Sequence, residues 1–213
     1  MKKGKFIVIE GIDGSGKNMA CKILKKCFNK FRIKKKIFVR QPGSTKISEK
    51  IRNILKKNNK KEKLTKYSEL LLLYAARSQL LENIIKPALK NDFWVVSNRH
   101  QLSSFAYQNG GNNIKEKYLK ILNTLIKDKI LPNLTIYLDI TPKIALKRIL
   151  FRKKKIDRIE KKSKKFFDSV RNKYLEKINL DKKKIFINTN NTLKNVQKNI
   201  KHKFEKWLKK YQI

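Results

Sequence analysis

Gly11-Ile12-Asp13-Gly14-Ser15-Gly16-Lys17-Asn18 stands between an apolar run and a long amphipathic stretch. The apolar run, Phe6–Glu10, predicts a β-strand, and the stretch near 16–31 predicts a helix. Glycines at such a junction let successive backbone N–H groups point toward one centre, where the positive end of the helix also attracts an anion. The spacing is that of a P-loop, whose lysine reaches the β- and γ-phosphates of a nucleotide. We therefore expect ATP to bind this segment, that is, Gly11, Ile12, Asp13, Gly14, Ser15, Gly16, Lys17 and Asn18.

The last position of the motif departs from the usual pattern. A P-loop normally ends in Ser or Thr, whose hydroxyl binds Mg²⁺, whereas this chain has Asn18. An amide oxygen also ligates hard cations, but the Asn side chain is longer, so we expect the geometry around the metal to change. The backbone cradle does not depend on that side chain, and we expect phosphate binding to be retained.

Short apolar runs alternate with longer amphipathic stretches along the whole chain, which predicts βαβ units and a parallel sheet. The runs are almost continuously apolar, as strands are when helices cover both faces of a sheet. Two local signals stand out: Thr141-Pro142 predicts a helix start, and Asn109-Gly110-Gly111-Asn112-Asn113 predicts a turn-rich break. The predicted strands are Phe6–Glu10, Ile37–Arg40, Phe93–Ser97, Leu134–Ile140 and Ile185–Asn188, and the predicted helices lie near 16–31, 45–58, 66–90, 112–128, 142–152, 161–179 and 193–211.

The composition is strongly basic, with 56 Lys and Arg against 16 Asp and Glu, a net charge of +40. Only nine of these cations are Arg, and the lysines are spread over nearly every polar stretch beside many Asn and Ile. Because these three residue types share adenine- and thymine-rich codons, we attribute the charge to genome composition. Nucleic-acid modules instead gather charge on one face and add aromatic residues for stacking. We expect no specific nucleic-acid partner and only salt-sensitive, non-specific DNA binding.

Length, apolar runs and cysteine spacing indicate the number of domains and the location of the protein in the cell. The 213 residues suffice for one α/β domain, which we expect to span residues 1–213. No run of ~18 apolar residues predicts a membrane helix, and Met1-Lys2-Lys3-Gly4 leads into the first strand without the apolar region of a signal peptide. Cys21 and Cys27 match no metal or redox spacing. These features favour a cytoplasmic protein that contacts no membrane.

Six short motifs occur together in the order and at the spacing of one enzyme family. They are Ile9-Glu10-Gly11-Ile12-Asp13-Gly14, Arg40-Gln41-Pro42-Gly43, Tyr74-Ala75-Ala76-Arg77, Asn98-Arg99-His100, Ala106-Tyr107-Gln108 and Asp157-Arg158-Ile159-Glu160. With them the chain resembles the thymidylate kinase family, in the bacterial form that carries arginines in its lid. The resemblance implies a three-layer α/β P-loop NTPase fold, with five parallel strands in the order 2-3-1-4-5 and a short lid. It also implies phosphoryl transfer from ATP to dTMP, Mg²⁺ as cofactor, a homodimer and a place in dTTP synthesis.

The resemblance assigns most of the acceptor site. Arg40 ends one predicted strand and Arg99 follows another, at the edge where open α/β sheets bind ligands, and both would clamp the dTMP phosphate with their bidentate forks. Arg77 would donate to O4 of the base, and Asp13 would bind the 3′-hydroxyl. Tyr107 would crowd the sugar 2′ position, although a core tyrosine is an equally good interpretation. The other expected dTMP contacts are Leu73, Ser103, Ser104 and Gln108, of which Ser103 and Ser104 are candidates for the N3 edge of the base.

A charged segment, approximately residues 148–160 and called the lid below, supplies further cations. We expect it to be a mobile flap over the carboxyl edge of the sheet that is not buried. Arg152 and Arg158 would neutralise charge on the transferred phosphoryl group, and Arg148 would do the same or pack against the ATP base. Asp139 ends a strand that resembles a Walker B strand, but we interpret it as an anchor of the turn that follows. The expected catalytic residues are thus Lys17, Arg99, Arg152 and Arg158.

Three more positions depart from the family pattern. Gln41 replaces a glutamate, Asn98 replaces an aspartate, and Leu73 stands where a phenylalanine stacks on thymine. Asn18 and Asn98 are the expected Mg²⁺ ligands, and both are neutral. Losing a charge pair ~4 Å apart costs up to ~4 kcal/mol at an effective dielectric of ~20. We expect weaker catalysis than in typical members.

Three other interpretations remain open at this point. One is a kinase for another nucleoside monophosphate. A second is a degenerate homologue that binds nucleotide with little turnover, which would suit Asn18, Gln41 and Asn98. The third is a nucleic-acid-dependent ATPase, which the charge alone suggests and which would need helicase-type motifs that we do not find.

Overall fold

A computed structural model describes residues 4–57, 61–126, 130–152 and 155–211. Within these residues five parallel strands form one sheet in the order β2-β3-β1-β4-β5. The predicted order 2-3-1-4-5 is confirmed, and each predicted strand ends within one residue of its observed limit. The strands are β1 Phe6–Glu10, β2 Lys36–Arg40, β3 Trp94–Asn98, β4 Leu134–Asp139 and β5 Lys184–Asn188.

Helices cover both faces of the sheet, which explains why its central strand is apolar at successive positions. Residues that alternate along a strand point to opposite faces. In β1, Ile7 and Ile9 belong to the same buried cluster as Phe28, whereas Phe6 and Val8 belong to the cluster of Leu80. The expected three-layer α/β architecture follows from these two cores.

Most predicted helices begin and end close to their observed limits, but the helix predicted near 112–128 begins at Glu116, and the predicted helices do not include residues 101–111. The stretch predicted as one helix over 66–90 is continuous but contains a π-helical turn at Leu81–Ile85. The predicted helix ends at residues 58 and 127–128 lie outside the described residues. The described α-helices are α1 Lys17–Lys30, α2 Lys46–Lys56, α3 Lys66–Leu80, α4 Lys86–Lys90, α5 Gln101–Ser104, α6 Glu116–Leu125, α7 Pro142–Phe151, α8 Lys164–Asn179 and α9 Leu193–Lys209.

The turn-rich break predicted at 109–113 is wrong in part. Residues Phe105–Gly111 continue α5 as a π-helix, and the chain leaves the helix only after them. The two glycines there serve close packing: a Cβ atom on Gly110 would lie 2.6 Å from Cβ of Lys173, and one on Gly111 would overlap the ring of Phe166. A pair of glycines signals a turn in sequence, but here it lets the helix backbone touch α8.

The predicted start of α7 is confirmed, since Thr141 is the N-cap residue and Pro142 the first helical residue. The role predicted for Asp139 needs correction. Its two carboxylate oxygens accept hydrogen bonds from Nε and Nη2 of Arg171, each at 2.9 Å. Asp139 is therefore structural, as expected, but its side chain holds α8 against the sheet. Among the described residues, no helix is long and apolar enough to cross a membrane.

We predict that Asp139→Ala lowers the free energy of unfolding by about 1–3 kcal/mol, because it leaves a charged donor without its buried acceptor. Urea denaturation measures the change. Glu176→Ala is the control: it removes exposed ion pairs with Lys173 and Lys177 and should cost at most about 1 kcal/mol. Equal effects of the two variants would contradict the anchoring role.

Candidate active site

The predicted site residues meet at the carboxyl edge of the sheet. The P-loop leaves β1, Arg40 ends β2 and Asn98 ends β3, so three neighbouring strands deliver side chains to one place. A cavity of about 470 Å³ lies there. Of the predicted residues, those that line it are Asp13, Gly14, Gly16, Lys17, Asn18, Arg40, Leu73, Arg77, Asn98, Arg99, Ser103, Ser104, Tyr107, Gln108, Arg148, Arg152 and Arg158.

Glycine is required at two positions of the P-loop. Gly16 precedes α1 with φ +95°, a left-handed conformation that other residues rarely adopt. Gly14 has φ +81°, and a Cβ atom there would lie 2.6 Å from the carbonyl oxygen of Ala145. The loop can therefore turn its backbone toward the cavity only with these glycines, as the motif predicts.

Lys17 folds back onto its own loop. Its Nζ donates hydrogen bonds to the carbonyl oxygens of Gly11 at 3.0 Å and Ile12 at 2.8 Å. Burial, together with the nearby charge of Arg99, lowers the pKa of Lys17 to about 7, against the opposing effect of Asp13. Without a bound anion, Lys17 therefore loses its proton near neutral pH.

Arg99 is the most heavily bonded side chain of the site. Its φ of +74° is unusual for a residue other than glycine, and such strain is typical of functional positions. The guanidinium donates to Oδ1 of Asp13 at 2.6 Å, to the carbonyl oxygen of Gly11 at 3.0 Å and to the hydroxyl of Tyr107 at 3.0 Å. Burial opposes both charges, but their attraction holds the pKa of Asp13 well below, and that of Arg99 well above, the usual values.

A buried carboxylate that sequence reasoning missed supports this arrangement. Glu10 lies beneath the P-loop, where burial raises the pKa of its carboxyl group. Its Oε2 accepts from the hydroxyls of Ser103 at 2.6 Å and Tyr174 at 3.0 Å. Arg99 donates to both of those hydroxyls, at 3.1 and 3.2 Å. Ser103 is thus held inside the protein, which weakens its assignment to the base and leaves Ser104 as the better candidate.

Arg77 is buried, and its described partners are neutral. Nε donates to Oε1 of Gln41 at 3.0 Å, and Nη2 donates to Oγ of Ser104 at 2.6 Å and to the carbonyl oxygen of His100 at 3.2 Å. Its Nη1 has no hydrogen-bond partner among the described residues. A buried donor of this kind is open to an acceptor from a ligand.

Gln41 occupies the base side of the cavity. Its Nε2 lies 3.0 Å from Nδ1 of His100, and burial, with the charge of Arg77, keeps the pKa of His100 well below its usual value. Because the imidazole is then neutral, Gln41 donates to it and accepts from Arg77. The replacement of Glu by Gln therefore alters the surroundings of Arg77.

Tyr107 combines the two interpretations left open by the sequence. Its ring is 7% exposed and packs in a buried cluster with Phe167 and Tyr174. Its hydroxyl donates to Oδ2 of Asp13 at 2.9 Å, so the residue is both core and site. Leu73 lines the cavity, and Nε2 of Gln108 donates to Oε1 of Glu69 at 2.9 Å.

Arg52 was also missed. It lies on α2, lines the cavity beside Arg40 and donates to the carbonyl oxygen of Pro42 at 2.8 Å. Burial and the charge of Arg40 lower the pKa of Arg52. Arg40 itself pairs with Glu49 at 2.7 Å. Two neighbouring guanidiniums with one exposed carboxylate leave a surplus of positive charge, which suits a phosphate.

Asn18 and Asn98, the predicted metal ligands, lie side by side. Nδ2 of Asn98 donates to Oδ1 of Asn18 at 2.9 Å, which leaves Oδ1 of Asn98 as an amide oxygen outside this bond. Among the described residues, no group of three His, Cys, Asp or Glu side chains could hold a metal ion. Mg²⁺ prefers oxygen ligands, and the amides of Asn18 and Asn98 offer oxygens. The site therefore fits a Mg²⁺ ion that receives most of its ligands from the nucleotide.

The lid departs from the exposed flap that we expected. Lys153 and Lys154 lie outside the described residues, but Glu160 is buried and pairs with Arg152. Arg158 pairs with Glu69 at 2.5 Å. Nη2 of Arg148 donates to the carbonyl oxygen of Thr189 at 2.8 Å. The three lid arginines therefore line the cavity while bound to protein acceptors.

The strand order and the glycine cradle at the end of β1 define a P-loop NTPase fold. Comparison with known proteins specifies it further. A family model described as thymidylate kinase matches residues 9–200. The chain therefore belongs to the thymidylate kinase family, whose members are nucleoside-monophosphate kinases.

Individual relatives agree with this assignment. The chain is 51% identical to a thymidylate kinase of Buchnera aphidicola subsp. Acyrthosiphon pisum (strain APS), with 100% of both chains covered. It is 44% identical to a thymidylate kinase of Wigglesworthia glossinidia brevipalpis, with 99% of both covered. The crystal structure of thymidylate kinase from Ehrlichia chaffeensis superposes with a TM-score of 0.77 at 25% identity and covers 96% of this chain and 98% of that one.

We predict that nucleotide binding takes up a proton on Lys17. At pH 8 the free lysine, with its pKa near 7, is mostly neutral, and the phosphates of ATP are fully ionised. Bound phosphate stabilises the charged lysine, so about one proton should enter per nucleotide at pH 8 and none on Lys17 at pH 6. Calorimetry in buffers of different ionisation enthalpy measures the uptake.

Lys17→Ala should abolish both this uptake and the thermal stabilisation by ATP. Lys25→Ala, an exposed change on the same helix, should retain both. Uptake that persists in Lys17→Ala would contradict the assignment of the proton to this lysine.

Proposed function

We propose that this protein transfers the γ-phosphoryl group of ATP to dTMP. One observation carries the proposal: the P-loop and a buried arginine with an unpartnered Nη1 line the same cavity. Arg77 offers only donors, so it suits the O4 oxygen of thymine and not the amino group at the same place in cytosine. We also propose that residues 1–213 act as one kinase domain in the cytoplasm and serve dTTP synthesis.

The acceptor needs no side-chain nucleophile, because the phosphate of dTMP is itself a competent one. One of its oxygens forms the new bond to the γ-phosphorus, while the bond from that phosphorus to the bridging β–γ oxygen breaks and ADP leaves. Arg40, Arg52 and Arg99 hold the acceptor phosphate in line. Asp13 is ionised and accepts from the 3′-hydroxyl, and Lys17 and Arg152 neutralise the charge that develops.

The experiment is a coupled ADP-release assay with dTMP, dUMP, dCMP, AMP and GMP. We predict that dTMP is preferred. Arg99→Lys keeps the charge but loses the bidentate fork, so it should weaken the use of dTMP at least tenfold, or ~1.4 kcal/mol. Arg32→Lys, the same exchange at a residue outside the cavity lining, should change little.

The panel separates the rival functions. Preference for another monophosphate would establish a different kinase of the same class. ATP and dTMP binding without ADP release would establish a binding protein, for which the amide pair at Asn18 and Asn98 is the observation in favour.

We propose Mg²⁺ as the cofactor, held on the protein side by Asn18 and Asn98. When bound, the ion offsets negative charge on the β- and γ-phosphates. The two amides supply oxygens but no charge, whereas Lys17 and the lid arginines supply cations. A high Mg²⁺ requirement with retained turnover follows.

We predict that Asn18→Thr together with Asn98→Asp raises the rate and lowers the Mg²⁺ requirement, with non-additive effects because both changes touch one ion. Calorimetric binding of an ATP analogue at varied Mg²⁺ gives a readout besides turnover. A parent that is already fast at low Mg²⁺, with no gain in the double variant, would assign the metal to another residue. Glu160 would come next, because it lines the cavity, and Asp139, which is paired with Arg171, does not line it.

We propose that a second copy of the chain covers an exposed apolar face on α3 and α6. Tyr67 and Leu71 are one turn apart on α3, and Ile121 and Leu125 are one turn apart on α6. The ring of Tyr118 lies 6.0 Å from that of Tyr67 and joins the two stripes. Such a patch on a highly charged surface indicates association, and a homodimer is what the family resemblance implies.

We predict that Leu71→Lys converts the dimer into a monomer, because it places a charge in the apolar contact. Light scattering after size exclusion measures the mass. Leu193→Lys, which alters an exposed leucine on α9, should remain dimeric. A parent that is monomeric at high concentration would contradict the proposal.

A further inference from the structure

Glu69 connects the lid with the helix that carries predicted acceptor residues. It lies on α3 and is 4% exposed. Its Oε2 receives Nη2 of Arg158 from the lid at 2.5 Å. Its Oε1 receives Nε2 of Gln108 at 2.9 Å and Nδ2 of Asn112 at 3.0 Å. One carboxylate thus touches two parts of the molecule that are distant in sequence.

The face of α3 that carries Glu69 lines the cavity. Glu69, Leu73 and Arg77 are spaced four residues apart, so they share one face of the helix, and all three line the cavity. Glu69 therefore contacts the lid and lies on the same helix face as Arg77, on the base side of the site.

The lid segment around Arg158 is held as a unit. Oδ1 of Asp157 accepts from the backbone N–H groups of Ile159 and Glu160, each at 3.1 Å. Asp157 also pairs with Lys56 at 2.7 Å, and Nε of Arg158 donates to the carbonyl oxygen of Leu55 at 3.1 Å. Both of these contacts reach the end of α2. With the ion pair between Arg158 and Glu69 formed, this part of the lid contacts both α2 and α3.

The charges explain why the contact matters. Gln108 and Asn112 are neutral donors, so only Arg158 offsets the negative charge of Glu69 among the bonds described for it. A buried carboxylate without a charged partner is unfavourable, so Glu69 favours the docked lid. Conversely, a docked lid fixes Glu69, and Glu69 fixes the amide of Gln108, which lines the cavity.

We propose that Glu69 and Arg158 form a latch that couples acceptor binding to lid closure. The proposal rests on the function proposed above and deepens it. Arg158 is then a positioning residue, and Arg152 is the lid arginine that serves the transferred phosphoryl group. Since coupling is reciprocal, dTMP strengthens binding of the ATP analogue by the same factor as the analogue strengthens binding of dTMP.

The experiment is titration calorimetry of dTMP, alone and with saturating AMP-PNP, a non-hydrolysable ATP analogue. The ratio of the two dissociation constants is the coupling factor, which we expect to be ~5-fold or more in the parent, the usual range for coupled sites. Glu69→Gln leaves one acceptor oxygen where Arg158 on one side and Gln108 and Asn112 on the other now use two. Arg158→Gln removes the cation that pairs with Glu69. Each should reduce the factor below ~2-fold, and the double variant should lose no more, because both changes remove one contact.

Lys161→Gln is the matched control, since it removes the same charge at an exposed position in the segment that follows the lid. It should keep the parent factor. If Glu69→Gln does not fold, as judged by its melting curve, Arg158→Gln carries the test, because Arg158 belongs to the segment between α7 and α8, outside any helix or strand. Loss of coupling in that variant, with dTMP still bound in the absence of AMP-PNP, supports the latch.

The remaining outcomes overturn the proposal in distinguishable ways. No binding of dTMP to the parent overturns the proposed function and the latch together. Binding of dTMP with an unchanged coupling factor in both variants overturns the latch alone. Loss of turnover in Arg158→Gln with coupling intact also overturns it and assigns Arg158 to the phosphoryl group.

Discussion

The half-buried ion pair between Arg99 and Asp13 holds the site together. Arg99 follows β3 and Asp13 belongs to the loop after β1, so their contact fixes two neighbouring strand ends relative to each other. Tyr107 and Tyr174 then bind the same guanidinium from the π-helix and from α8. A guanidinium can serve so many acceptors because its five donors are fixed in one plane, which a lysine would not reproduce.

The chain separates two uses of positive charge. Lysines lie mainly on the surface, where water screens them and their exact positions matter little. The arginines of the site lie around one cavity, and most are held by named acceptors: Asp13 for Arg99, Glu69 for Arg158 and Glu160 for Arg152. Acidic residues are scarce in this protein, so their use as partners of site arginines shows where fixed geometry is needed.

Much of the fold was predictable because its signals are local. An apolar strand, a glycine-rich turn and a helix start can each be recognised within a few residues, and the P-loop combines all three. The residues that were missed lack such signals. Glu69 stands in the first turn of a helix, where an acid is ordinary, and Arg52 stands on an amphipathic helix among lysines. Their importance comes from contacts with Arg158 and Arg40, which only the folded chain brings near.

The partners of charged side chains were the least predictable feature. The sequence indicated that Arg77 would need an acceptor, but it could not indicate that Gln41, His100 and Ser104 would be the acceptors. Asp139 likewise suggested a local role and instead pairs with an arginine 32 residues away. Such pairs depend on how helices pack, and helix packing is set by many weak contacts together.

The glycines at 110 and 111 have a mechanical consequence. Because they bring the π-helix backbone against α8, these two helices pack closely, and Tyr107, Tyr174 and Arg171 lie on them. A single methyl group added at this contact would push α8 away from the π-helix. Because Tyr174 on α8 accepts a hydrogen bond from Arg99, the displacement would reach Arg99 without any substitution in the site itself.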